Sequence, residues 1–271
     1  MSDSHLHAFL AEDAKRRPAP SSQVRATAAL KSFFRSRGPR SNVSPLEKAP
    51  STDLLGVDRV ARGHYVMRPF GALGTRAAAE DITLAVGAVF SGKPHRIAFR
   101  SALDWHGLLE HPSRRIVLAA DKRPGLRELS GRPLKVVLER HDRIEIGAID
   151  AGHGARVSSL ERVLVESATR PALAGSIQVV ASALARARAN PDALEEIARV
   201  LGARSALHRL GSIAETLEIQ PFADRLEPLS SIGRPIPLDP ELADAVDGWR
   251  DDKWGVDWPF PAEELKEMVR R

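Results

Sequence analysis

The chain contains no cysteine, which excludes disulfides and thiolate metal sites and fits a reducing compartment. No apolar run reaches about 18 residues, so no helical membrane span is expected. Residues Met1 to Leu10 are polar and broken by histidines, without the apolar centre of a signal peptide. A P-loop, a paired-glycine dinucleotide loop and an HExxH stretch are all missing, and Gly152-His153-Gly154 reads as a turn, too short to cradle a phosphate. There is no internal repeat. Lysine is scarce beside arginine and alanine, as in a GC-rich genome, so a single arginine means little by itself.

What remains is an ordinary globular composition, 43% hydrophobic and 28% charged, over 271 residues, with room for two domains. The charge is unevenly placed. The net charge is +5, yet residues 1–76 hold 13 Lys/Arg against 6 Asp/Glu, while residues 77–271 hold 27 against 29. A basic end on a nearly neutral body is the footprint of a phosphate-contacting module, and equally of an arginine-rich tail with no specific partner.

Residues 1–20 read as a flexible basic arm ending in Lys15-Arg16-Arg17-Pro18. From Ser21 a helix is plausible, with Val24, Ala28, Leu30 and Phe34 on one face and Gly38-Pro39 closing it. Arg35, Arg37 and Arg40 lie at its end. Two short β-prone runs then flank Ala61-Arg62-Gly63 and predict a hairpin decorated by Arg59, Arg62, His64 and Arg68. Helices followed by a basic hairpin outline a winged helix-turn-helix over residues 21–72.

The body, residues 73–220, begins with an Ala-rich helix from about Thr75 to Phe90 and a short helix, Ala102 to Leu109, capped by Ser101. Strands are expected over Arg115–Ala120, Leu134–Arg140, Ile144–Ile149 and about Ala155–Val157, with a tight turn at His141-Asp142. Ser158 with Glu161 fits a capping box opening a helix to about Ala168, broken at Arg170-Pro171. Further helices follow over Gly175–Ala189, after the Asn190 cap to Gly202, and from about Ser205 to Leu217. Residues 221–271 form a Pro-rich, then acidic extension whose Trp249, Trp254, Trp258 and Phe260 should be buried. The expected fold is α+β: a winged helix, then a small, mostly antiparallel sheet packed with a helical C-terminal bundle.

Four segments in order carry a family pattern. Arg62-Gly63-His64-Tyr65-Val66 resembles an "RGxYxL" wing, and Ser101-Ala-Leu-Asp-Trp-His106-Gly-Leu an "S-A-L-x-x-H-G-L" helix. Glu161-Arg162-Val-Leu through Arg170-Pro171-Ala-Leu-Ala-Gly175 resembles a "PERTLLDxxxRPxLAGG" block, and Arg209-Leu210-Gly211 an "RLG" signature. Over about residues 57–219 the chain resembles the AbiEi family of antitoxins, repressors of type IV abortive-infection toxin–antitoxin operons. The resemblance implies a winged helix that binds inverted repeats in promoter DNA, and a C-terminal domain that counters a nucleotidyltransferase-type toxin. It implies no enzymatic activity and no cofactor, and it places the protein in the bacterial cytoplasm, at the nucleoid when bound to its promoter. Residues 39–56 depart from the pattern: Pro39, Pro45 and Pro50 crowd the place of a recognition helix.

The DNA-contact candidates are therefore Arg35, Arg37, Arg40, Arg59, Arg62, His64 and Arg68. Glu161, Arg162, Arg170 and Arg209 occupy the family blocks, either as caps and ion pairs or as a partner surface. A protein-binding antitoxin without DNA binding is the alternative. A second alternative, a hydrolase using Ser101 and His106, is weak because five residues on a helix separate their directions by roughly 140°. His95, His106 and His111 lack the spacing of a helical zinc site.

Overall fold

Short strands alternate with helices in a mixed α/β arrangement, seen in a computed structural model that describes residues 57–67, 81–226, 234–242 and 248–270. The described residues hold eleven strands and ten α-helices. The chain divides into two units, one of residues up to 95 with 123–134 and 150–156, the other of 96–122, 135–149 and 157 onward.

In the first unit, β1 (Val57–Ala61) and β2 (His64–Met67) form an antiparallel hairpin, with Arg59 opposite Tyr65 and a bulge between Arg59 and Ala61. The predicted hairpin is present. Gly63 takes φ +73° at its turn, a conformation glycine adopts without a Cβ penalty. Val60, Tyr65 and Val66 are buried, and the bulged Val60 carbonyl accepts from the Ser130 amide at 2.7 Å. Helix α1 (Ile82–Phe90) is buried from Thr83 to its end, as its all-round apolar sequence requires. The Asp81 carboxylate caps it, accepting from the Thr83 amide at 2.8 Å.

The larger sheet runs in the order β5 (Glu128–Leu129), β6 (Arg132–Leu138), β4 (Ile116–Ala120), β3 (His95–Ile97), β8 (Ala155–Ser158), β7 (Ala148–Gly152). It is mixed: β5 and β6 are antiparallel, whereas β3 and β8 are parallel, with Ile97 opposite Val157. In the second unit every residue of β4 is buried, which suits a continuous apolar run rather than an alternating one. One predicted strand is replaced. Over His141–Glu145 the chain forms a short helix, α3, in place of the expected turn and strand, and extended structure resumes at Ala148. Ile144, read as a strand residue, is the buried side chain of that helix.

Helix α2 (Phe99–Trp105) starts earlier than expected, after Ala98, and Ser101 lies inside it rather than capping it. Helix α4 (Leu160–Thr169) is capped by Ser159, not Ser158, the Ser159 hydroxyl accepting from the Arg162 amide. Arg170-Pro171 does break the chain, with Pro171 opening the single turn α5 (Pro171–Ala174). Helices α6 (Ile177–Arg186), α7 (Pro191–Leu201) and α8 (Arg204–Thr216) follow, with Asn190 capping α7 and Gly202 closing it in the left-handed region.

After α9 (Gln220–Arg225), the tail builds a three-stranded sheet in the order β10 (Trp249–Asp251), β11 (Val256–Trp258), β9 (Ile236–Pro237), then α10 (Ala262–Arg270). Trp254 and Trp258 are 1% exposed and Phe260 is buried, while Trp249 stacks on Trp258 at 5.4 Å. This buries three of the four tail aromatics in the second unit. Gly211 explains the fit: a Cβ there would lie 2.1 Å from the Trp254 ring, so only glycine lets the indole reach the backbone of α8.

Candidate functional site

The sequence-predicted residues fall in two places, one in each unit. In the first, Arg59 and Arg62 are exposed on the hairpin. His64 is half-buried, and its Nδ1 donates to the Ala88 carbonyl at 2.9 Å, so this ring fastens the hairpin to α1. Arg35, Arg37, Arg40 and Arg68 lie outside the described residues.

In the second unit, Arg162 belongs to a buried ionic cluster. Arg96, on β3, is 1% exposed. Its Nη2 donates to Glu166 Oε2 at 2.6 Å, its Nε to Ser158 Oγ at 2.8 Å and its Nη1 to the Ile144 carbonyl at 3.1 Å. Its Nη1 also lies 2.9 Å from Glu139 Oε2. Arg162 donates through Nη2 to Glu139 Oε1 at 2.8 Å and through Nε to Glu166 Oε2 at 3.3 Å. The other Glu166 oxygen accepts from Ser158 Oγ and from the Phe99 amide, both at 2.8 Å. One carboxylate thus ties β3, β8 and the start of α2 to α4.

The electrostatics of the two guanidinia diverge. Burial opposes the charge of Arg96, but Glu166 and Glu139 outweigh it and hold its pKa above the ordinary value. Arg162 is pushed below its ordinary value, first by burial and then by the neighbouring Arg96 charge. Arg162 Nη1 is buried and has no hydrogen-bond partner. A buried donor in that state costs about 1–3 kcal/mol, more where it is charged.

The other family-block residues are structural in their contacts, save one. Glu161 Oε1 accepts from the Asn190 amide at 3.1 Å, linking α4 to the start of α7. Arg209 is buried and donates to the carbonyls of Pro237 and Ala168, both at 2.9 Å. Arg170 is exposed, and its guanidinium meets no partner among the described residues. Ser101 Oγ donates to the Arg115 carbonyl at 3.2 Å and accepts from the Val117 amide at 2.9 Å. His106 Nε2 donates to the Ser158 carbonyl at 2.8 Å. Serine and histidine are each committed to separate backbone groups, so no nucleophile–base contact forms between them. No cluster of metal-ligating side chains occurs among the described residues.

Sequence reading missed Arg96, Glu139 and Glu166. The i, i+4 spacing of Arg162 and Glu166 on a helix was a usable signal, as was Arg96 directly before the apolar run Ile97-Ala98-Phe99. No local pattern marks Glu139.

No family model matches this sequence, and no curated protein matches it. Among solved structures, the chain is similar to that in a crystal structure of the RV2827C protein from Mycobacterium tuberculosis, at 18% identity and a TM-score of 0.46. The match covers 66% of this chain and 67% of that one. A likeness of that size carries no argument about function.

Proposed function

We propose that this protein is an antitoxin that represses its own toxin–antitoxin operon by binding promoter DNA through its basic N-terminal region. The observation that carries this reading is the hairpin β1–β2, which presents Arg59 and Arg62 to solvent within a segment of strong positive charge. Its apolar side chains and His64 are spent on anchoring, so the arginines are held on a fixed backbone. A fixed basic hairpin suits contact with phosphates, which positions a protein on DNA without reading its sequence. The four ordered segments resembling AbiEi antitoxins support the toxin-countering half of the reading, with a nucleotidyltransferase-type toxin as the partner.

The test is an electrophoretic shift on the DNA upstream of the gene, repeated across a salt series. Retardation at low salt is expected, and Arg59→Ala and Arg62→Ala should each flatten the slope of log affinity against log salt by about one. No retardation at low salt would overturn the repressor reading. Pro39, Pro45 and Pro50 favour a second reading, a protein-binding antitoxin without DNA binding. Rescue of cells expressing the neighbouring toxin, without any DNA shift, would establish that alternative.

A further inference from the structure

The second unit contains a cavity of about 490 Å³ above the buried ionic cluster, a volume typical of small-molecule sites. Its walls come from the end of β6, from α3 and α4, and from the junction of α7 with α8. Three features of this cavity converge on an anion.

Four arginines line it, Arg140, Arg143, Arg162 and Arg170, against two carboxylates, Glu139 and Glu166. Both carboxylates are already shared between Arg96 and Arg162. Arg140 is paired with Asp142 outside the cluster. Among the described residues, Arg143 donates to the Leu201 carbonyl, and neither it nor Arg170 has an acidic partner. The rim is therefore short of negative charge.

The buried Arg162 Nη1 has no acceptor, although the side chain is 2% exposed and lines the cavity. Arg162 thus brings a charged side chain with one unmet, sealed donor to the cavity wall. Beyond it, the thirteen-residue helix α8 starts at the cavity wall, where Ala203 and Ser205 line it. Its Ala203 cap offers no side-chain acceptor and its first turn holds no carboxylate. The Ala206 amide is met by the Ala203 carbonyl, and the start of α8 brings a positive helix end to the cavity wall.

The remaining wall is apolar. Phe99, Val137, Leu138 and Leu201 contribute to it, and Leu138 is 53% exposed, unusually bare for leucine. Phe99 sits at φ +49°, an uncommon conformation for a bulky residue, held by the Glu166 carboxylate on its amide.

We infer that this cavity binds a phosphate-bearing small molecule of nucleotide size. The exposed guanidinia of Arg143 and Arg170 and the first turn of α8 take the phosphate oxygens, with the Arg162 charge behind them, and Leu138 and its apolar neighbours take the uncharged part. The inference does not rest on DNA binding, because every residue in it belongs to the second unit.

Calorimetric titration of the full chain with ATP, inorganic pyrophosphate and adenosine, at constant ionic strength, tests it. Saturable binding of ATP is expected, weaker binding of pyrophosphate, and none of adenosine at concentrations up to about 5 mM. Arg143→Ala and Arg170→Ala should each weaken ATP binding about tenfold without moving the unfolding midpoint of the ligand-free protein, since both side chains are exposed. Leu138→Ser should weaken ATP and leave pyrophosphate unchanged. Arg62→Ala, on the hairpin, should leave both unchanged. Absence of ATP binding overturns the inference, and so does binding that survives the Arg143→Ala/Arg170→Ala pair or is lost in Arg62→Ala. Pyrophosphate binding as tight as ATP overturns the nucleotide-size part.

Discussion

Arginine serves opposite purposes in the two units. On the hairpin of the first, Arg59 on β1 and Arg62 in the turn are exposed, while Val60 and Tyr65 are buried. In the second, Arg96 and Arg162 are sealed under 3% exposure and bound to two glutamates. A buried guanidinium must be paired because desolvation costs several kcal/mol per ion. An exposed one keeps its water and can exchange partners at little cost, which suits a phosphate contact. In an arginine-rich chain it is burial, not abundance, that separates the two uses.

The sharpest way to break this contrast is to remove a glutamate. Glu166→Ala leaves Arg96 and Arg162 underpaired and the Phe99 amide unmet, and should cost about 3–5 kcal/mol, measured by urea unfolding. Glu166→Gln, which keeps hydrogen-bonding oxygen and shape, should cost less. Gly211→Ala forces a methyl into the Trp254 indole and should cost about 1–3 kcal/mol, with near-ultraviolet dichroism reporting the displaced ring. Arg62→Ala, by contrast, should change stability by less than about 0.5 kcal/mol while lowering DNA affinity.

A pH effect completes the series. Burial holds His208 below its ordinary value of 6.5, against the opposing hydrogen bond that its Nδ1 donates to the Trp254 carbonyl. The unfolded chain then binds the extra proton first. Stability from this group is complete above pH 6.5 and declines as pH falls below it. The unfolding midpoint should rise between pH 5 and 7, and His208→Gln should flatten that rise.

Much of the helical layout was legible because capping chemistry is local. Asn190-Pro191, Gly202 and Arg170-Pro171 each act on their own backbone, and each falls where the sequence placed it. The hairpin was legible for the same reason. The Ser158 cap was misassigned because its neighbour Ser159 is chemically equivalent in sequence, and Ser158 is taken by Arg96, 62 positions away. The strand expected at Ile144 failed because a short apolar–charged alternation does not distinguish a strand from one helical turn. Of the arginine cavity, the sequence exposed Arg162 and Arg170 singly. Their convergence with Arg143 and the α8 terminus depends on tertiary packing alone.

The hydrogen bonds from Arg96 to Ile144, Ser158 and Glu166 span 48, 62 and 70 positions of chain. Arg162 and Glu166 can pair within α4, but Arg96 cannot be paired from local structure, because loops of that length must close first. Arg96 is therefore a long-range fastener: its pairing presupposes that strands β3 and β8 and helix α4 have already come together.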